Sequence, residues 1–213
     1  MKLRAQLQRT REDCFDFNYC RMPNAGYYKE RADEGLERSG KLYEHFLFGD
    51  ITTGPNSQKY LEAVKKCTEH LRGTAKPGYI PFQEALCIVY EAQRENPRCP
   101  QRRFMKDLHD LLSQQLNMSA RRNATLSIYS AIGSPLDHLH GIDAVVEFMP
   151  YKEEQEVRRV TLDASFRYQE KKEDKAYKAD VLVGKLDLEE DPREYKKSLE
   201  HISNQIVARL LQK

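Results

Sequence analysis

At 213 residues the chain can bury a substantial core, either as one large domain or as one domain with a helical extension. Its 35 Lys and Arg against 33 Asp and Glu exclude a wholesale polyelectrolyte binder, so any affinity for nucleic acid must rest in local patches. No apolar run approaches the ~20 residues that cross a bilayer, and the start lacks the apolar segment of a secretory signal, which predicts a cytoplasmic chain with no membrane partner.

The first eleven residues, "MKLRAQLQRTR", hold four cations and no acid. Helices are expected over residues 29 to 48, 57 to 72 and 81 to 94, with Pro81 near the first turn of the third. In the second, Tyr60, Leu61, Val64, Cys67, Thr68 and Leu71 share a face, and Gly73 follows as a stop. "GDITTGPNS" and "GTAKPGYIP" read as the loops between them. Nothing in residues 1 to 97 has metal-ligand or nucleophile spacing, so this stretch is expected to be a helical N-terminal region, available to a protein partner or a second copy of the chain. The five cysteines, Cys14, Cys20, Cys67, Cys87 and Cys99, form no CxxC pair and are odd in number, which predicts reduced thiols rather than a disulfide frame or a zinc site.

From residue 98 the pattern changes, and residues 98 to 213 are expected to form the functional module. "RRFMKDLHDLLSQQL" spaces Phe104, Leu108, Leu111 and Leu112 as a helix, and "ATLSIYSAI" alternates as a strand. A turn at "GSPLDHLHG" follows, then strands over 142 to 149 and 157 to 166 around the charged turn "YKEEQE", a charged stretch and the short strand "ADVLV". The last element is a helix with Asp191 as N-cap, Pro192 at its first position and an apolar stripe of Tyr195, Leu199, Ile202, Ile206 and Leu210. The expected fold class is α/β (α+β), a small mixed sheet flanked by helices.

Two strands each carry a carboxylate among apolar residues, in "GIDAVVEF" and "VTLDAS". An ionised Asp so placed loses hydration unless a cation or several donors compensate. A hairpin symmetric about Glu153 sets Asp143 directly opposite Asp163, within about 5 Å at Cβ, and Glu147 opposite Arg159. Opposed like charges repel, and a divalent cation between them removes the conflict: carboxylate oxygens hold Mg²⁺ or Mn²⁺ and leave positions for water and phosphate. The other reading of the pair is two polar positions bonded to backbone or arginines. Glu147 is expected to pair with Arg159 rather than to serve as a third ligand.

With "GID" opening the second strand and "LDAS" in the third, residues about 100 to 212 resemble the PD-(D/E)XK superfamily of metal-dependent nucleases. The most specific stretch is "SPLDHLHGIDAVVEF", then "VTLDASF", then "YKADVLV". The resemblance implies a restriction-endonuclease-like core in which Asp143 and Asp163 bind the metal and a Lys two positions after the second acid places the attacking water. Ser165 stands where that Lys is expected. Some branches of the superfamily supply it from a neighbouring element, which here offers Lys172, then Lys175, with Lys171 and Lys178 behind them. The superfamily also often places an acid on the helix before the first strand, a role open to Asp107 or Asp110, although an amphipathic helix carries surface acids freely. His138 and His140 could donate to phosphate or move a proton, or contact the backbone of the turn. Gly141 allows a tight start to the strand or the close approach of a phosphate.

The resulting expectation is a Mg²⁺- or Mn²⁺-dependent nuclease that hydrolyses phosphodiester bonds in nucleic acid, DNA before RNA, as an endonuclease or exonuclease. Arg98, Arg102, Arg103, Arg121 and Arg122, with the first eleven residues, would contact phosphates, although each patch alone also reads as a solvated face. The alternative is a catalytically inactive nuclease-fold protein that binds nucleic acid or another protein.

Overall fold

The computed structural model describes residues 36–52, 57–71, 78–121, 124–150, 157–165, 178–186 and 191–212. The chain divides into Met1–Ser39, which lies almost wholly outside the described residues, and the compact unit Gly40–Lys213. The unit therefore runs through residue 98, where a boundary was expected, and takes in helices on both sides of it.

The described elements are α1 (Leu36–Phe48), α2 (Ser57–Thr68), α3 (Phe82–Ala92), α4 (Arg103–Gln115), β1 (Thr125–Ser130), α5 (Pro135–His140), β2 (Ala144–Met149), β3 (Arg158–Ala164), β4 (Val181–Val183) and α6 (Pro192–Gln212). The four strands form one mixed sheet in the order β1-β2-β3-β4, the first two pairings antiparallel and the third parallel. Among the described residues the fold is mixed α/β, four strands with six α-helices. No described helix is long and apolar enough to cross a membrane.

Alternation along the strands sends successive side chains to opposite faces. On one face Leu126, Ile128, Ala144, Val146, Phe148, Val160 and Leu162 meet Leu47 and Phe48 of α1, Phe104, Leu108 and Leu112 of α4, and the predicted stripe of α6 from Tyr195 to Leu210. All five stripe residues of α6 are buried. Asp191 caps α6, its Oδ1 accepting from the N–H groups of Arg193 (2.9 Å) and Glu194 (3.2 Å). Tyr43 of α1 ties this layer to the end of β4: its hydroxyl donates to the Gly184 carbonyl (2.7 Å) and accepts from the Leu186 N–H (2.8 Å). On the other face, Val145 packs with Leu136 and Ile142 under Ala85, Leu86, Ile88 and Val89 of α3, and α2 lies against α3.

Three sequence expectations change here. "GSPLDHLHG" is a six-residue helix rather than a turn: Ser134 Oγ accepts from the Leu136 N–H, Pro135 stands in the first turn, and Gly141 closes it at φ 65°. Six residues are too few for helical periodicity to show, and the Ser-Pro start was the one readable signal. In α2, Leu61 is 59% exposed while Ala63 is buried, so the packed face is rotated from the predicted stripe. Cys67 and Cys87 are bonded, with Cα atoms 6.0 Å apart, whereas Cys99 is a free, exposed thiol. Their separation of 20 residues has no signature in the sequence, and only the antiparallel packing of α2 on α3 brings the sulfurs together.

Candidate functional site

The hairpin register is the predicted one: Ala144 pairs with Leu162, Val145 with Thr161 and Glu147 with Arg159. Asp143 lies one residue before β2 and keeps the β2 register toward β1 but not toward β3. Its N–H donates to the Leu162 carbonyl and its carbonyl accepts from the Ala131 N–H, each at 2.8 Å. That contact to Leu162 is one position off the hairpin register, so regular pairing with β3 ends at Ala144, and Asp163 is close enough for its charge to act on Asp143. Both aspartates are buried, at 3% and 5% exposure, and Ser165 beyond them at 8%.

Asp143 Oδ2 accepts the Ala164 N–H at 2.7 Å, which orients the carboxylate toward β3. Burial pushes its carboxyl up to about 8, the charge of Glu44 pushes the same way, the Ala164 N–H opposes, and Asp163 and Asp137 add to the rise. Glu44 was not singled out from the sequence: it sits on α1, about a hundred positions away, and only the packing of α1 across the end of the sheet makes its charge felt at Asp143.

Burial and like charge thus favour the protonated carboxyl at Asp143, and a bound cation would act against both. Two carboxylates are what a protein commonly offers Mg²⁺, with water and phosphate completing the shell. Asp143 and Asp163 fit that donor set in chemistry, although no group of three or more His, Cys, Asp or Glu residues among the described ones is arranged to hold a metal.

The helix acids go elsewhere. Asp107 accepts from the Tyr195 hydroxyl at 2.8 Å and lies 3.9 Å from Arg103, while Asp110 is 4.0 Å from His109. His140 bonds the Ile80 carbonyl at 3.0 Å, just ahead of α3, and packs edge-on against Phe82, so it joins α5 to the start of α3 rather than to the backbone of its own turn. His138 is exposed, 3.8 Å from Asp137. Gly141 is a helix C-cap with open space around it.

The arginines divide as well. Arg102 donates to the His45 carbonyl (3.3 Å) and lies so close over Gly49, at φ 78°, that an added Cβ would come within 2.1 Å of its Nε. Arg103 stacks on Tyr195 at 5.4 Å and Arg121 on Phe148 at 5.8 Å. Arg98 is exposed. Arg122, Lys171, Lys172, Lys175 and the first eleven residues lie outside the described residues, and Lys178 is exposed. Glu147 takes Arg159, as expected, and also the Tyr90 hydroxyl from α3, which ties that helix to the sheet.

Comparison of the chain with family models, curated proteins and solved structures finds no match.

Proposed function

We propose that the chain is a metal-dependent phosphodiesterase of nucleic acid, DNA before RNA, working in the cytoplasm with Mg²⁺ or Mn²⁺ held by Asp143 and Asp163. The observation that carries this reading is the pair of buried aspartates at neighbouring strand ends, where burial first, and then the charges of Glu44, Asp163 and Asp137, push the Asp143 carboxyl up to about 8. The element order from α4 through three antiparallel strands to a parallel fourth and α6 supports it, being the order on which the resemblance to PD-(D/E)XK nucleases rests.

In this reading Asp143 and Asp163 bind the cation, the Ala164 N–H orients Asp143, and Glu44 adds negative charge that strengthens the attraction. A bound divalent cation supplies Lewis acidity at a phosphate oxygen and lowers the pKa of a water. A lysine of residues 171 to 178, first Lys172 and then Lys175, holds that water and offsets charge on the phosphate, since Ser165 carries none. Arg98 and the basic first eleven residues draw the phosphate backbone in.

Titration of the chain with Mg²⁺ and Mn²⁺ tests the site. One saturable site is expected, lost in Asp143→Ala and in Asp163→Ala together with cleavage of DNA. Cleavage that survives both substitutions overturns the assignment. The burial of Ser165 favours a second reading, a nuclease fold that binds nucleic acid or a protein without cutting. It is supported if DNA binding persists with a steep salt dependence while no metal binds and no DNA is cut.

A further inference from the structure

We infer that the Cys67–Cys87 bond is a redox-operated clasp: it decides whether α2 stays docked on α3, while the sheet and its aspartates hold their place in either state. The two helices are anchored unequally. α3 buries Ala85, Leu86, Ile88, Val89 and Ala92, and its Tyr90 hydroxyl donates to Glu147 of β2. Among its described side chains α2 has only Ala63 and Cys67 fully buried, with Tyr60, Val64 and Thr68 partly covered, and its packing among the described elements is almost all against α3.

Among the described residues, the polar ties that run from α2 to α3 and its C-terminal end are exposed. Lys66 meets Glu91 at 2.8 Å with both side chains largely in solvent, and Lys59 Nζ donates to the Gln93 carbonyl at 2.6 Å. Exposed pairs of this kind contribute little, and a twelve-residue helix is marginal without a partner surface. The covalent bond is therefore the main restraint on α2. Cys87 is only partly buried, so a thiolate can reach its sulfur.

Opening takes two electrons and two protons from a dithiol, which closes to its own cyclic disulfide and leaves two thiols. The Cys67 thiol then remains as a small apolar group in the core.

The test uses the full chain. Without reductant, alkylation followed by peptide mass analysis should label Cys99 and recover Cys67 and Cys87 as one cross-linked pair, and after dithiothreitol Cys67 and Cys87 should be labelled as well, the peptides of Cys14 and Cys20 being read separately. Amide exchange over residues 57–68 should then quicken on the order of tenfold or more, with 82–92 and 144–149 unchanged. The double variant C67S/C87S should show the fast pattern from the outset and ignore dithiothreitol. Should it fail to fold, C87S alone and the native chain with and without dithiothreitol carry the same comparison. Labelling of Cys67 and Cys87 in the unreduced chain overturns the proposal. So does unchanged exchange in α2 after reduction, or loosening that spreads to α3 and the strands.

Discussion

The two faces of the sheet are built from the same three antiparallel strands and yet do different things. The face toward α1, α4 and α6 is almost wholly aliphatic and aromatic, sealed by the stripe of α6 and by Leu108 and Leu112 of α4. The face toward α2, α3 and α5 interrupts its apolar residues with Asp143, Glu147, Arg159 and Asp163. Burial on the first face is non-directional and favours folding outright. On the second each charge needs a partner, and burial together with the charge of Glu44 pushes the Asp143 carboxyl up to about 8. One face holds the molecule together, and the other stores the chemistry.

The largest effect that separates them is on stability. Leu108→Ala, at a fully buried site, should cost about 2 to 5 kcal/mol in denaturant unfolding. Asp143→Asn should cost far less and, on the proposed function, abolish cleavage. A comparably small loss for Leu108→Ala would show that the apolar face is not the stabilising one.

The second contrast is pH. The carboxyl of Asp143 is raised from its ordinary 3.8 to about 8, so it binds its proton more tightly folded than unfolded. Its contribution favours the fold fully below about pH 4 and is lost as pH rises toward 8. Melting temperature should therefore decline across that window in the native chain and decline less in Asp143→Asn, which cannot ionise. Added Mg²⁺ at pH 8 should restore the native chain and leave the variant unmoved, whereas equal slopes for the two chains would remove Asp143 from the account.

A smaller effect is expected where the polar face is already satisfied. Tyr90→Phe removes one donor from Glu147 but leaves Arg159 in place, and should cost about 1 kcal/mol. A double-mutant cycle with Arg159→Ala should show coupling between the two, since both act on one carboxylate. Similar in size is Gly141→Ala, with φ at 65° and open space for the methyl group, where the left-handed backbone alone should cost about 1 kcal/mol by circular dichroism melts. A larger loss would mean that this cap does more than end α5.

The strands, their register and the long helices could be read from residue order because they obey short periods. The i, i+2 alternation of "AVVEFM" and "RRVTLDA" leaves one pairing in which both strands keep their apolar sides together, and that pairing opposes Val145 to Thr161 and Glu147 to Arg159. The stripe of α6 and its Asp191 cap are local in the same sense.

What only the tertiary structure decided lies between distant segments. The charge of Glu44 on Asp143, the hold of Tyr43 on Gly184 and Leu186, the Cys67–Cys87 bond and the attachment of Tyr90 to Glu147 each join residues 20 to 143 positions apart. No period links such positions, because which helix crosses which end of the sheet depends on how all the buried surfaces fit at once. The fate of the arginines follows the same logic. Arg102, Arg103 and Arg121 look like a phosphate patch along the chain, and become a cover for Gly49 and two stacking partners for aromatic rings only once those neighbours are brought alongside.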